Sequence, residues 1–289
     1  LALNWFPEAE HGGFYAAEVH GYYKERGVEV EILGGGPDAP VIQRVATGAV
    51  AFGITNADDV LYARAQQAPV VALMAPYQIN PRCIMVHASS GIDDIAKISN
   101  ITLAMSQRPA FSHYLRWKYP FTKVKIVPYP GNITQFLMDP NFAQQGYVFS
   151  EPFVAKTKGG DPQALLVADI GFNPYASVLI ASEETIATKA QLVEAVVRAS
   201  VKGWEKYLAD PPATNRHINS LNPEMGLEIL AYGAEESNAL ILDPVAQKNG
   251  LGTMTPDRWQ GLLNQMVAAG LIAKDAVDAQ TAFTDRFLP

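Results

Sequence analysis

From residue 1 to residue 181 the chain alternates short β-branched or apolar runs with segments whose apolar positions repeat at the helical period. That alternation restricts it to an α/β fold with mixed, mainly parallel sheets. Residues 1–5 read as a strand, 12–26 as a helix stopped by Gly27, and 28–33 as a second strand in which apolar and acidic residues alternate. The same pattern predicts helices over 40–47 and 58–66 and strands over 50–54 and 69–75. A second series follows Pro81, with strands at 83–87, 101–105, 124–127, 147–149 and 165–168. After a strand at 177–181 the remainder reads as helices over 189–208, 223–232, 256–269 and 276–286.

Two β/α series followed by helices predict two lobes, the second inserted into the first. The expected division is 1–84 plus 179–289 for lobe I and 85–178 for lobe II, joined by two crossing strands near 83–87 and 177–181, with the ligand cleft between the lobes. At 289 residues and 48% hydrophobic content the chain can build two cores.

Several function classes are disfavoured. A formal charge of -7 with no Lys/Arg run argues against a nucleic-acid partner. No apolar stretch reaches the roughly 18 to 20 residues of a membrane span. Cys83 is the one cysteine, so neither an intrachain disulfide nor a cysteine-held cluster can form. The start at Leu1, without an initiator Met or basic segment, fits a processed chain. The histidines at 11, 20, 87, 113 and 217 lack metal-ligand spacing, and no nucleophile-elbow, zincin or Walker pattern occurs. The run from Gly34 to Ala39 formally fits a dinucleotide-binding turn, but Pro37 lacks the N–H a phosphate needs, so it reads as a turn. No metal or cofactor is expected.

In open parallel sheets ligands bind beyond the carboxyl ends of the strands. The loops there, 5–13, 34–38, 55–59, 76–78, 106–111, 129–132 and 150–152, repeat one composition of aromatic, amide, carboxylate and glycine. Flat apolar walls with a few directional polar groups suit a small-molecule cleft. The scarcity of basic residues disfavours a sulfonate, phosphate or nitrate. The candidate ligand-binding residues are Asn4, Trp5, Glu8, His11, Gly12, Asn56, Asp58, Tyr77, Phe111, Glu151 and Tyr175. Each has a duller alternative: Trp5 as a core aromatic, His11 as an ordinary loop residue, Asp58 or Asp59 as a helix cap, Glu151 as a solvated carboxylate. Gly12 and Gly13 would let a ligand approach the first N–H groups of the helix. Glu151 could accept two N–H bonds from an amino-substituted heterocycle.

Leu3-Asn4-Trp5-Phe6-Pro7 with Gly12-Gly13-Phe14-Tyr15, Gly21-Tyr22-Tyr23-Lys24-Glu25-Arg26-Gly27-Val28, Phe52-Gly53-Ile54-Thr55-Asn56-Ala57-Asp58, Gly146-Tyr147-Val148-Phe149-Ser150-Glu151-Pro152 and Arg198-Ala199-Ser200-Val201-Lys202-Gly203-Trp204 carry a resemblance. Together they resemble the ABC-transporter substrate-binding proteins related to the yeast thiamin-pyrimidine synthase, the NMT1/THI5-like and SsuA-like family. The likeness runs to Phe287-Leu288-Pro289. It implies a type II periplasmic binding-protein fold and a periplasmic or lipid-tethered receptor that delivers its solute to an ABC permease. The ligands of such a family are pyrimidine precursors of thiamin, riboflavin-like compounds, sulfonates and nitrate. The resemblance assigns ring stacking to Trp5 and further contacts to Glu151 and Tyr175. The synthase branch needs a lysine, a histidine and a cysteine-rich motif, and this chain has Thr55 and Asp59 at the first two positions and Cys83 alone for the third. The expected mechanism is hinge closure of a monomer on a small planar heteroaromatic solute, a thiamin pyrimidine precursor or a related compound, with Tyr77, Phe111 or Tyr175 helping Trp5. The alternatives are the same transport role for a riboflavin-like, sulfonate or other small anionic solute, or a pyridoxal-phosphate or nucleotide-dependent enzyme such as a pyrimidine synthase.

Overall fold

A computed structural model describes residues 1–37 and 39–289 and resolves them into two units. Unit 1 comprises Leu1–Ile79, Pro174–Asn264 and Ile272–Pro289; unit 2 comprises Asn80–Asn173 and Gln265–Leu271. Among the described residues no helix is long and apolar enough to cross a membrane.

Unit 1 begins with α1 (Gly12–Val19), α2 (Tyr22–Glu25), α3 (Val41–Ala46), β1 (Phe52–Thr55), α4 (Ala57–Ala65) and β2 (Val70–Met74). The single helix expected over 12–26 is interrupted because Gly21 takes a left-handed φ of 76°, which ends α1 and lets α2 start in a new direction. The strands expected at 1–5 and 28–33 shrink to bridges: Ala2 pairs in parallel with both Leu33 and Gly53.

Unit 2 follows with β3 (Arg82–His87), β4 (Thr102–Ala104), α5 (Ala110–Lys118), β5 (Lys125–Val127), α6 (Thr134–Met138), β6 (Phe142–Tyr147), α7 (Glu151–Thr157) and β7 (Pro162–Leu166). Its sheet has the order β5-β4-β6-β3-β7. β4 runs parallel to β5 and β6, while β3 is antiparallel to β6 and β7. Met85, Ala104, Phe136, Phe142 and Ala155 form a buried cluster under α6 and α7. The strand expected at 147–149 lies earlier, because 142–146 is buried between two neighbouring strands and the chain turns after Tyr147.

The chain then returns to unit 1 with β8 (Val178–Ser182), α8 (Glu183–Thr188), α9 (Ala190–Ala209), α10 (Pro212–Leu221), α11 (Leu227–Ile241), α12 (Pro244–Asn249) and α13 (Pro256–Ala268), the last turn of which enters unit 2. β8 pairs antiparallel with both β1 and β2, and every residue of the three strands is buried. The sheets are thus mixed, with more antiparallel pairing than the mainly parallel expectation. The helix expected over 276–286 is instead a short 3-10 turn, Ala279–Thr281. Its backbone partners lie elsewhere: Phe283 bridges Ala72, and its ring stacks on Trp259 at 5.5 Å.

α9 packs one face into the core of this unit. Its Trp204 is fully buried, edge-on to Phe14, Tyr77 and Tyr207 at 5.7, 5.5 and 6.0 Å. Such ring pairs contribute about 0.5 to 1.5 kcal/mol beyond the area they bury. α1 approaches α9 closely enough that a Cβ on Gly13 would lie 2.1 Å from the Trp204 ring, and one on Gly12 would lie 2.0 Å from Tyr207.

Candidate functional site

The parallel bridges of Ala2 set three segments of unit 1 side by side in one direction, so the chain leaves them together at Asn4-Trp5, Gly34-Gly35 and Thr55-Asn56. β8 enters the same edge from the opposite direction, with Val178 opposite Thr55, and Ala176 bridges Tyr77 next to it. The glycine run is held against the first of these loops. Gly35 N–H donates to the Trp5 carbonyl at 2.9 Å, and a Cβ on Gly35 would lie 2.1 Å from the Leu3 carbonyl oxygen, a separation only glycine tolerates. Asp38, the end of that loop, lies outside the described residues.

Trp5 is half-buried, with its ring edge-on to Phe6 at 5.4 Å, and Phe6 is 48% exposed. Trp5 is less buried than the two tryptophans at the core of this unit, Trp204 and Trp259. Asn4, before it, is half-buried and lies with its Oδ1 2.9 Å from His11 Nε2. His11 is completely buried, and burial holds its pKa down at about 3, with the Phe6 carbonyl a weaker opposing influence. It is a neutral imidazole.

Acidic and polar groups crowd the same edge. Glu8, Glu10 and Asp58 are all buried. Glu10 accepts a hydrogen bond from Ser177 Oγ at 2.9 Å, and Ser177 N–H donates to Asn56 Oδ1 at 3.4 Å. Ser177 has a φ of 51°, a left-handed backbone that a non-glycine residue keeps only when its surroundings enforce it. Thr55 Oγ1 donates to Asp59 Oδ2 at 3.0 Å, so the positions where the synthase branch needs a lysine and a histidine bond each other here.

Several expected contacts need correction. Gly12 and Gly13 are buried against the rings of Tyr207 and Trp204, so close helix packing explains both glycines and ligand access does not. Tyr77 is fully buried, with its hydroxyl 2.9 Å from Ser237 Oγ and its own pKa raised by burial. Tyr175 is 1% exposed; the Arg258 guanidinium lies 3.8 Å over its ring, and its hydroxyl accepts from the Thr255 N–H. A ring with no accessible face cannot stack on a solute, and these two brace the interior of unit 1.

In unit 2, Phe111 sits at the start of α5 and is 5% exposed. Arg82 lies over its ring at 4.9 Å and over the Tyr147 ring at 4.2 Å, an arrangement that holds a guanidinium flat. Glu151 opens α7 after β6 has ended, and its oxygens serve the protein: Oε1 accepts from Tyr129 O–H at 2.7 Å and Oε2 from Tyr147 N–H at 2.8 Å. Its expected pair of N–H bonds to a heterocycle therefore competes with two internal ones. Cys83 is buried below, its thiol pKa raised by burial and by the Glu151 charge, which makes it an inert thiol. Among the described residues no group of three His, Cys, Asp or Glu side chains could hold a metal ion.

Sequence reasoning missed Glu10, Ser177 and the cluster of Arg82, Tyr129 and Tyr147. A left-handed serine leaves no mark in composition, and the Arg82 cluster joins residues from separate strands and loops, so no local pattern encodes either.

Comparison with known proteins gives this arrangement a context. The model of the family described as NMT1/THI5 like matches residues 8–214. The chain is 30% identical over 302 residues to the riboflavin-binding protein RibY of Chloroflexus aurantiacus, a match spanning 100% of this chain and 85% of that protein. It is 25% identical over 303 residues to the formylaminopyrimidine-binding protein of Halalkalibacterium halodurans, covering 99% of this chain and 90% of that one. Among solved structures, the periplasmic aliphatic sulphonate binding protein SsuA from Escherichia coli superposes with a TM-score of 0.73 at 12% identity, over 99% of this chain and 92% of that chain. The chain belongs to the NMT1/THI5-like family and has the fold of a type II periplasmic binding protein.

Proposed function

We propose that this protein is the solute-binding component of an ABC importer, acting outside the cytoplasmic membrane, and that it captures a small planar heteroaromatic compound by hinge closure of its two units. The observation that carries the reading is the half-buried Trp5 with the exposed Phe6 at its edge, in a unit that seals Trp204, Trp259, Tyr77 and Tyr175 inside. The names of the two relatives support it, because riboflavin and a formylaminopyrimidine are both flat nitrogen heterocycles of the kind an indole stacks on. The membrane permease is the partner, and binding rather than turnover is the role. A second reading, the same transport role for an anionic solute, draws on the Arg82 guanidinium held between two rings.

Trp5→Ala is expected to weaken binding of formylaminopyrimidine or riboflavin at least about tenfold, equal to about 1.4 kcal/mol, without changing the melting temperature. Titration calorimetry beside circular dichroism reads both. An unchanged affinity removes Trp5 from the site.

A further inference from the structure

Asn56 stands at the N-cap of α4, where an asparagine ordinarily turns its Oδ1 onto the first N–H groups of the helix. Here the side chain makes no such bond. The β1–β8 ladder ends at the pair Thr55 and Val178, and Ser177, just before it, has the left-handed φ of 51°. The Ser177 N–H is taken by Asn56 Oδ1 at 3.4 Å. Two further bonds fix this junction: Ala57 N–H donates to the Tyr175 carbonyl at 3.0 Å, and Ser177 Oγ donates to Glu10 Oε1 at 2.9 Å. A backbone N–H can only donate, so the Asn56 atom that faces it is the oxygen. An amide turned round would set one donor against another.

We propose that Asn56 determines specificity: with Oδ1 engaged by Ser177, it presents its Nδ2–H donors to the solute and selects one whose ring edge carries an acceptor, a carbonyl oxygen or an unprotonated ring nitrogen. Asn56 is half-buried, and among the described residues no protein group accepts from its Nδ2. Nor is Nδ2 one of the polar atoms sealed inside without a partner, so it is open to solvent. Its place suits the stacking platform. Ala2 bridges Gly53 in parallel, and Trp5 and Asn56 each stand three residues beyond that pair, so ring and donor issue from adjacent segments of one sheet edge. Asp58 and Asp59 in the first turn of α4 already complement the positive end of the helix, which favours a neutral acceptor over an anion here. The inference rests on the reading of Trp5 as the stacking platform.

Calorimetry with riboflavin and with formylaminopyrimidine separates contact from support. Asn56→Asp keeps an oxygen for the Ser177 N–H and loses both donors, so affinity is expected to fall at least about tenfold while the melting temperature stays at the wild-type value. Both probes are uncharged in mildly alkaline buffer, so the added carboxylate repels neither. If holding Ser177 were the whole role of Asn56, Asn56→Asp would bind like the wild type, and that result overturns the proposal. Spectra of wild-type protein labelled at asparagine side chains give a second reading that needs no variant. On saturation with riboflavin, one Nδ2 proton of Asn56 is expected to move downfield and to exchange more slowly with water, and a pair that keeps its free-state exchange overturns the assignment. If Trp5→Ala and Asn56→Asp both leave affinity unchanged, the reading of the site fails as a whole. If Trp5→Ala weakens binding and Asn56→Asp does not, the donor assignment alone fails.

Discussion

His11 links the chemistry of the edge to the stability of the protein. Its pKa is held at about 3 in the fold, against about 6.5 in an unfolded chain. The unfolded state therefore binds the proton first as pH falls, and the folded state loses stability on acidification. The stability of the wild type is expected to drop by at most about 1.4 kcal/mol per pH unit from this residue between about pH 6.5 and pH 3, and to be unaffected by it above that window. His11→Gln removes that contribution. Chemical denaturation of both proteins across the window reads the difference, and parallel pH profiles would show that His11 is accessible to protons in the fold. Glu151 shows the opposite use of a polar group: a carboxylate that looks like a ligand contact in the sequence is engaged by Tyr129 and by the Tyr147 backbone.

Between elements, the closest contact is the crossing of α1 and α9. Gly13 faces Trp204, and Gly203 faces back, where a Cβ would lie 2.2 Å from the Gly13 carbonyl oxygen. Alanine is the better helix former by about 1 kcal/mol, so propensity alone predicts that Gly13→Ala stabilises the protein. The packing predicts the reverse, because the added methyl must displace a fully buried indole. A net loss of about 1 to 3 kcal/mol is expected in guanidinium unfolding. A raised midpoint would mean that α1 can shift away from α9 at little cost. Gly13, together with Gly12, reads as a ligand-access residue in the sequence, where the partner helix nearly two hundred residues away is invisible.

For the whole molecule, the useful measurement is linkage between solute and stability. A solute present at about 100 times its dissociation constant adds roughly 2.7 kcal/mol to the state that binds it. Aminopyrimidines and flavins are expected to raise the melting temperature, and alkyl sulfonates and nitrate to leave it unchanged. A shift with sulfonates alone would transfer the site to the anionic reading and to Arg82. The acidic balance, 29 Asp and Glu against 22 Lys and Arg, is in keeping with a flat, largely uncharged guest rather than an anion steered from a distance.

Hydrophobic periodicity was enough to place β1, β2, β3, β8, α9 and α13 within a few residues, because strands buried on both faces and long amphipathic helices impose a spacing on the chain that does not depend on its neighbours. The motif around Trp5 likewise singles out in the sequence the loop on which the proposed site is built, since an aromatic with amides and glycines at a strand end is a local pattern. What only the tertiary structure decided was which side chains keep a free face. Tyr77 and Trp5 are both aromatics at the same sheet edge, and nothing in either neighbourhood of the sequence says that α9 and α11 close over one and not the other. The pairing of the C-terminal segment with β2 was equally hidden, because a backbone takes its hydrogen bonds from whichever strand the fold brings alongside, and that choice depends on contacts far apart in the chain.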